Sequence, residues 1–400
     1  MKILVCGDVH IGGSYALGKT DPNTQLNSRL LDFSDTFNTI IDNAVKENAK
    51  VVVLTGDVFE HRVPTSSQIN TFSKCIIRAV KSGLKVIIVV GNHDQQRNVD
   101  TSTIDFLNHL EIPNVCVYQD LGVKTLQDEY GKDYHIILMP YRDRRMLNTA
   151  TNSEAIEIIK TQLSDLIKGL TGTKIVVGHF MLEKTIEDDN PDSFSINELV
   201  IPFNTFDEVD IALMGHIHKH EIMNKEKPVI IYTGSMDKVS FSEKEHQKVS
   251  IILDTNDIEK YQVVKTKTRN MYELNFDYSS NDKLYKEKIN DKIIEDINAF
   301  DTKKSIADAI VKLIVKLKEA DLYHVNHNKI KEHLLSKKTN NILPLQITST
   351  SFRQLRNSNI TEDTDEKKAM KTFIDSLSEP DGIKKRLQKY ADQIIEDQKG

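Results

Sequence analysis

The chain has 400 residues and a formal net charge of −6, and its length suggests two or three domains. A hydrophobic share of 39% is ordinary for a globular protein and excludes a disordered chain. Residues 1–280 carry 30 basic and 39 acidic side chains, so the larger part of the chain lacks the basic balance that is usual in a nucleic-acid-binding protein.

Short apolar runs in residues 1–255 predict strands that are buried on both faces, because polar residues do not alternate within them. Helical patterns lie over Arg29–Asn48 and Ser66–Lys81. This alternation predicts an α/β domain, and ligand sites in such sheets gather at the carboxyl ends of the strands. The runs and the motifs that follow them are Lys2–Cys6 with GDVH, Val51–Thr55 with GDVF, Val86–Val90 with GNHD, Lys174–Val177 with GHF, Ile211–Met214 with GHIH, and Val229–Thr233 with GSMD.

The region after residue 260 predicts a smaller α+β module. Asn270–Tyr278 has the pattern of a strand, and alternating residues over Val311–Leu317 indicate a half-exposed strand. Leu322–Lys337 has a helical pattern, and Ile342–Ser349 is again typical of a strand. We expect this module to cap the larger domain.

The last part of the chain predicts a charged linker and two amphipathic helices. The linker contains TEDTDE, and the helices are separated by SEPDG. Two short helices cannot bury both apolar stripes alone, so they either pack on their own chain or dock a partner helix, and both possibilities remain open. The stripes are Met370, Phe373, Ile374 and Leu377, then Ile383, Leu387, Tyr390 and Ile394.

Metal-binding side chains follow five of the predicted strands. Imidazole, carboxylate and carboxamide suit Mn²⁺, Zn²⁺ or Fe²⁺ better than Ca²⁺ or Mg²⁺. One such motif is common in surface turns, but five in order, each after a predicted buried strand, indicate a site. Seven candidates are too many for one ion and suit two ions that share a carboxylate. The candidates are Asp8, His10, Asp57, Asn92, His179, His216 and His218.

The series GDVH, GDVF, GNHD, GHF and GHIH resembles the calcineurin-like metallophosphoesterase superfamily over residues 1–240. The resemblance implies a two-sheet sandwich flanked by helices, with a dinuclear metal centre. Within the superfamily, the chain is most similar to the SbcD-type DNA repair nucleases of bacteria and large phages, which work with an SMC-like ATPase. Pro140-Tyr141, the segment Tyr232–Glu243 and the appended module carry this narrower resemblance.

The resemblance also implies a role for each site residue. Two divalent ions, expected to be Mn²⁺, would activate a hydroxide and clamp phosphate oxygens during in-line attack. His93 would stabilise the developing charge or protonate the leaving 3′ or 5′ oxygen, and Asp94 would orient His93, although support of a metal ligand is the alternative role for His93. One ion would be held by Asp8, His10, Asp57 and His218, and the other by Asp57, Asn92, His179 and His216.

Residues on the predicted strand-end loops are candidate DNA contacts, because basic side chains fix the phosphate backbone without reading bases. Some superfamily members carry a substrate-contacting His three residues after the bridging Asp. Here Glu60 has that position, so His61 either takes over the role or the role is absent. His220 is expected to face solvent or to support a ligand. The candidate contacts are His61, Arg62, Arg97, Tyr141 and Arg142.

Together these features predict a DNA exonuclease and endonuclease subunit that acts in double-strand-break repair and recombination. The domains expected are a nuclease domain over 1–260, a DNA-binding cap over 261–356, a linker over 357–366 and an ATPase-docking helix pair over 367–400. The resemblance to SbcD-type nucleases also implies a homodimer, with Ser66–Lys81 and Thr101–Leu110 as candidate interface helices. A phosphatase or phosphodiesterase of small phosphoesters is the alternative, but it would not need the appended module. A non-catalytic scaffold is disfavoured because the set of candidate ligands is complete.

The remaining features concern the compartment. Cys6, Cys75 and Cys116 form no CxxC pair, which fits a reducing environment and excludes a thiolate zinc site. The first apolar run is broken by Gly7 and Asp8 too early for a signal peptide. No stretch approaches the ~18 apolar residues that cross a bilayer. We therefore expect a cytoplasmic protein without a membrane segment.

Overall fold

The computed structural model describes residues 1–96, 101–184, 198–280 and 288–349, together with 370–371, 374, 384, 387–388 and 390–391. The linker predicted over 357–366 lies outside the described residues, as do Arg97 and most of the predicted helix pair. The chain divides into two compact units. The first contains Met1–Leu274, Asn298–Leu313 and Lys331–Pro344, and the second contains Asn275–Ile297, Ile314–Ile330 and Leu345–Gly400.

Strands β1–β18 and helices α1–α6 are numbered in chain order. The helices are α1 Ser28–Lys46, α2 Ser66–Lys81, α3 Phe106–His109, α4 Asn152–Ile167, α5 Ile289–Lys303 and α6 His327–Ser336. The first nine strands are β1 Lys2–Cys6, β2 Ala49–Leu54, β3 Lys85–Val89, β4 Val115–Tyr118, β5 Gly122–Gln127, β6 Asp133–Met139, β7 Thr173–His179, β8 Met181–Leu182 and β9 Val200–Ile201. The others are β10 Ile211–Gly215, β11 Glu221–Asn224, β12 Val229–Tyr232, β13 Val249–Asp254, β14 Asp257–Lys265, β15 Met271–Asp277, β16 Ile310–Leu317, β17 Asn341–Ile342 and β18 Gln346–Ser349.

Two six-stranded sheets form the centre of the first unit. One has the order β14-β13-β1-β2-β3-β4, and the other has the order β11-β12-β10-β7-β6-β5. Strands β1 to β4 are parallel to one another, and β10 is parallel to both β7 and β12. Loops that leave the carboxyl ends of parallel neighbours start at the same edge of a sheet, which brings the polar motifs of the sequence together.

Three apolar clusters fill the first unit as layers. One lies between the sheets and includes Val5 and Val53 of one sheet and Leu213 of the other. A second packs α1 and α2 on the outer face of the first sheet, and a third packs α4 on the outer face of the second sheet. This arrangement confirms the predicted α/β fold of a two-sheet sandwich flanked by helices. Of the described helices, none is long and apolar enough to cross a bilayer.

Local signals explain where the helices of the first unit begin. A capping box joins Thr65 and Gln68 at the start of α2, which has the predicted bounds Ser66–Lys81. Asn27 caps α1 by accepting a hydrogen bond from the amide of Arg29. The predicted helix Thr101–Leu110 is shorter, because Ser102 instead forms an isolated β-bridge with Gln95, and only Phe106–His109 is α-helical.

The appended module differs from the prediction at three places, the first being helix α5, Ile289–Lys303, where no element is predicted from the sequence. The predicted helix Leu322–Lys337 is divided between the end of a 3₁₀ turn, Glu319–His324, and α6, because the side chain of Asn326 caps a new helix by accepting from the amide of Lys329. The predicted strand Ile342–Ser349 is divided into β17 and β18 around Pro344, which has no amide hydrogen for a ladder.

Candidate metal centre

Two glycines allow the strand ends to approach one another. A Cβ atom on Gly91 would collide with the carboxylate of Asp57, and a Cβ atom on Gly215 would collide with the carboxylate of Asp8. A side chain at either glycine would therefore displace a candidate ligand, which accounts for glycine before Asn92 and before His216.

The first group of candidate ligands joins the loops after β1 and β10. The Oδ2 atom of Asp8 lies 3.9 Å from Nε2 of His218, and the rings of His10 and His218 meet edge to face with centroids 4.7 Å apart. Nε2 of His10 lies 3.7 Å from Oδ2 of Asp57. Asp8, His10 and Asp57 are almost fully buried. These side chains therefore face a common point.

The second group lies on the other side of Asp57. Nε2 of His179 lies 3.4 Å from Oδ2 of Asp57 and 2.9 Å from Oδ1 of Asn92. Nδ1 of His216 lies 3.1 Å from the same Asn92 oxygen. Nδ1 of His179 donates to the carbonyl oxygen of Thr55 at 2.9 Å, because a carbonyl only accepts, and Nε2 is therefore the ring nitrogen that faces the centre.

Three of the candidate ligands have a backbone that residues other than glycine rarely adopt. The φ angles are +46° for His10, +45° for Asp57 and +86° for His216. Such conformations cost about 1–3 kcal/mol each and occur where the surroundings hold them. The carbonyl oxygen of Asp57 accepts from the amide of His10 at 2.8 Å, and Oδ2 of Asp8 accepts from the amide of His216 at 2.9 Å. The strained turns thus support one another.

Glutamates contact the outer ring nitrogen of three candidate histidine ligands. Glu60 Oε2 lies 3.0 Å from Nδ1 of His10, Glu198 Oε1 lies 2.6 Å from Nε2 of His216, and Glu243 Oε1 lies 3.0 Å from Nδ1 of His218. A carboxylate on the outer nitrogen fixes the tautomer and the orientation of a metal-ligating imidazole. Of these three glutamates, the sequence motifs include Glu60, at the position of a substrate-contacting His, and Glu243, at the end of the segment Tyr232–Glu243, but they predict a contact with a histidine ligand for neither.

The charged side chains of the centre strongly shift one another's pKa values. Burial alone lowers the pKa of His179, but the carboxylates of Asp57 and Asp8 outweigh burial and raise this pKa to about 10. Burial raises the pKa of Asp57, yet the imidazoles of His179 and His93 hold it well below its usual range. Without a cation, protonated imidazole therefore compensates the buried carboxylates, and a divalent cation would replace that proton.

The donor set fits two cations. Both ring nitrogens of His10 are buried without a well-aligned hydrogen bond. The donors are imidazole nitrogens and carboxylate oxygens, which suit Mn²⁺, Zn²⁺ or Fe²⁺. Among the described residues, three groups bring their ligand atoms within 4.8 Å of one another: Asp8, His10 and His218; Asp8, Asp57 and His179; and His10, Glu60 and His93.

His93 and Asp94 have different surroundings. Nδ1 of His93 lies 2.6 Å from the carbonyl oxygen of Glu60. The carboxylate of Asp94 accepts from the amides of Val58 and Gly91, and burial and Asp57 raise its pKa to about 7. Asp94 therefore joins the GDVF and GNHD turns. The contact that orients the ring of His93 is made by the carbonyl of Glu60, whereas the sequence resemblance implies it for Asp94.

A cavity of about 760 Å³ opens beside His93. His61 and Arg62, two of the expected DNA contacts, line it, and the carbonyl oxygen of Arg62 is held by the hydroxyl of Thr103 at 2.7 Å. The exposed side chain of Val63 lies at the same surface. The full lining is Glu60, His61, Arg62, Val63, Asn92, His93 and Gln96.

Two other expected DNA contacts, Tyr141 and Arg142, have protein partners among the described residues. The ring of Tyr141 is buried, with its centroid 6.2 Å from those of His179 and His216. The guanidinium of Arg142 donates to the carbonyl oxygen of Gln119 and pairs with Asp120 at 2.6 Å. Tyr141 thus packs against the second group of ligands, and a DNA phosphate would compete with Asp120 for Arg142. Nδ1 of His220 donates to the carbonyl of Tyr232, so this ring supports the neighbouring strand.

Known proteins share parts of this chain. The family model for calcineurin-like phosphoesterases matches residues 1–220. The chain is similar to the DNA double-strand break repair protein Mre11 of Archaeoglobus fulgidus, with 25% identity over 250 residues, and it spans 52% of that protein's length while 61% of this chain is covered. Among solved structures it is similar to a dimetal phosphatase from Danio rerio, with a TM-score of 0.40, 8% identity, and coverage of 67% of this chain and 99% of that one. A cold-active protein-tyrosine phosphatase from a Shewanella species gives a TM-score of 0.28, 13% identity, and coverage of 66% and 80%.

Proposed function

The chain belongs to the calcineurin-like phosphoesterase family, and from that premise we propose that it is a metal-dependent nuclease that cleaves phosphodiester bonds of DNA during double-strand-break repair. We propose DNA as the substrate because the chain is similar to an archaeal double-strand break repair protein. That relative is matched over about half its length, so substrate and partners belong to the proposal.

In this proposal, the two groups of ligands hold two divalent cations, expected to be Mn²⁺. Asp8, His10, Asp57 and His218 would hold one cation, and Asp57, Asn92, His179 and His216 would hold the other. Two cations at these positions would supply Lewis acidity and would neutralise charge on the phosphate oxygens. Asp57 belongs to both sets, because its Oδ2 atom faces His10 on one side and His179 on the other.

His93 acts as the general acid. Its Nδ1 hydrogen is donated to the carbonyl of Glu60, so Nε2 is the free nitrogen of the ring. Burial lowers the pKa of His93, but Asp57 and the carbonyl of Glu60 raise it above the ordinary value for histidine. The imidazolium can therefore hold a proton on Nε2 and donate it to the leaving oxygen of the phosphodiester. The alternative role, support of a metal ligand, predicts a loss of bound metal when His93 is replaced.

The substrate strand would enter through the cavity beside His93. His61 and Arg62 lie at its wall and would hold phosphates without reading bases. Arg97, Tyr141 and Arg142 complete the proposed contacts. We further propose that the protein is an SbcD-type subunit, a homodimer whose residues 367–400 dock an SMC-like coiled-coil ATPase.

A substrate comparison tests the proposal. Purified protein with Mn²⁺ is assayed on linear double-stranded DNA and on bis-p-nitrophenyl phosphate, with His93→Ala as the control for contaminating nucleases. We expect both substrates to be cleaved. Hydrolysis of the small ester alone would favour a phosphodiesterase of small molecules. Two bound metal ions with no hydrolysis of either substrate would favour a non-catalytic scaffold.

A further inference from the structure

Glu243 is a buried carboxylate that contacts one candidate ligand from behind. Only 4% of its surface is exposed, and Oε1 lies 3.0 Å from Nδ1 of His218. An ionised carboxylate accepts only, so Nδ1 carries the hydrogen and Nε2 is left as the nitrogen that faces Asp8. The contact selects the tautomer that a cation beside Asp8 requires.

Lys248 completes this contact from the other side. Its ammonium group is 1% exposed and lies 2.6 Å from Oε2 of Glu243. The same ammonium donates to the carbonyl oxygen of His218 at 2.9 Å and to Oγ of Ser235 at 2.8 Å. Lys248 therefore balances the charge of Glu243 and also fixes the backbone of His218.

Backbone amides hold the carboxylate of Glu243 in place. Oε2 accepts from the amide of Val239 at 3.1 Å, and Oε1 accepts from the amide of Ser240 at 3.2 Å. Ser240 and Glu243 form a capping box for the 3₁₀ turn Phe241–Glu245. The carboxylate is thus fixed by amides, by an ammonium and by an imidazole.

We propose that Glu243 and Lys248 are a positioning pair for His218, and that they determine how tightly the first cation binds. The proposal rests on the proposed metal-dependent function. A pair that served stability alone would have no reason to contact both the ring and the carbonyl of one candidate ligand. A carboxylate behind a metal-ligating histidine typically contributes about 10–100-fold in metal affinity.

The test is a titration of metal-free protein with Mn²⁺. Calorimetry measures the binding steps, and electron paramagnetic resonance records the spectrum of the bound Mn²⁺. We expect Glu243→Gln to weaken one of the two binding steps by about 10–100-fold and to leave the other unchanged. Glu245→Gln is the matched control, because Glu245 is exposed in the same turn. It should bind both ions as the unaltered protein does.

Two further variants address folding. Lys248→Met leaves the buried carboxylate of Glu243 without its ammonium partner, which can destabilise the fold. The double variant Glu243→Gln/Lys248→Met removes both charges and is therefore measured beside it. Thermal unfolding in a chelator establishes that each variant is folded. We expect the double variant to lose about as much affinity as Glu243→Gln alone, because both residues act through His218. Two unchanged binding steps and an unchanged spectrum in folded Glu243→Gln would overturn the proposal. No DNA is used, so a negative nuclease assay would count against the proposed function alone.

Discussion

Nδ1 of His93 lies 2.6 Å from the carbonyl oxygen of Glu60, while the side chain of the same Glu60 places Oε2 3.0 Å from Nδ1 of His10. One residue therefore orients two imidazoles, one through its backbone and one through its carboxylate. Glu60 follows Asp57 by three positions, so the turn that carries the shared carboxylate also sets the rings on either side of it.

Replacement of His93 by Ala should separate catalysis from metal binding. A positioned general acid contributes about 10²–10⁴-fold to a rate, so we expect DNA cleavage to fall by that factor. Metal content, measured by elemental analysis, should stay near that of the unaltered protein, because the cation groups proposed above do not use His93. Retained cleavage would remove the catalytic role, and a loss of metal would assign His93 to ligand support.

Replacement of Glu60 by Ala should weaken Mn²⁺ binding and spare catalysis. The carboxylate that contacts His10 is lost, and we expect a fall in affinity of about 10–100-fold. The backbone carbonyl that orients His93 remains, so cleavage at saturating Mn²⁺ should stay within a few-fold of the unaltered rate. Glu60→Gln keeps an oxygen acceptor, so its Mn²⁺ affinity should lie between those of Glu60→Ala and the unaltered protein. A large loss of cleavage at saturating metal would show that the side chain also serves the reaction.

The sequence predicted the parts of the site that follow from strand ends. Each glycine-led motif after an apolar run lies at the carboxyl end of a strand, since parallel strands bring such ends to one edge. β1 and α2 have their predicted bounds because the apolar run of β1 ends at Gly7 and the capping box at Thr65 starts α2. These features are local, so a single sequence contains them.

The remaining contacts depend on distant parts of the chain. Glu198 lies in a loop and Glu243 lies in the 3₁₀ turn Phe241–Glu245, and no spacing rule connects them with His216 or His218. Arg142 has a basic side chain in a polar turn, and only the fold reveals its pairing with Asp120. Such contacts are decided by the packing of the sheets and not by a local pattern.

Binding of Mn²⁺ should release protons and should strengthen as the pH rises. In the metal-free protein the pKa of His179 is raised to about 10, so this imidazole is protonated at pH 7. An imidazole that binds a metal must be neutral, so the ion that binds at His179 has to displace that proton. We therefore expect the affinity to rise between pH 6 and pH 9. Calorimetry in buffers of different ionisation enthalpy measures the release directly, and an affinity independent of pH would contradict the protonated state.

Deletion of residues 367–400 should abolish co-purification with a coiled-coil ATPase. The two apolar stripes of this segment are proposed to dock a partner helix. Metal content should be unchanged, because none of the proposed ligands lies in the segment. Unchanged complex formation, together with a lower melting temperature of the deletion variant, would instead indicate that the stripes pack on their own chain.

Replacement of Arg29 by Met should destabilise the first unit strongly. Arg29 is fully buried and donates to Asp32 at 2.6 Å, to the carbonyl of Lys238 at 2.6 Å and to Asp237 at 3.3 Å. Removal of Arg29 leaves the buried carboxylate of Asp237 without its cationic partner, although Asp32 keeps its pair with Arg269, and breaking a buried ion pair costs about 3–5 kcal/mol. Met236, which precedes Asp237 in the chain, donates its amide hydrogen to the carbonyl oxygen of Asp8. A displaced Asp237 should therefore disturb Asp8, and metal affinity should fall as well.

An exposed ion pair provides the control for Arg29. Arg78 pairs with Asp42 at 2.5 Å, but their side chains are 41% and 64% exposed. Solvent screens such a pair, so Arg78→Met should change the free energy of unfolding by no more than about 1 kcal/mol. Urea unfolding measures both variants. A double variant Arg29→Met/Asp237→Asn should recover part of the loss, because it also removes the carboxylate that the loss of Arg29 leaves unpaired. Equal effects of Arg29→Met and Arg78→Met would show that the buried cluster contributes no more than a surface pair.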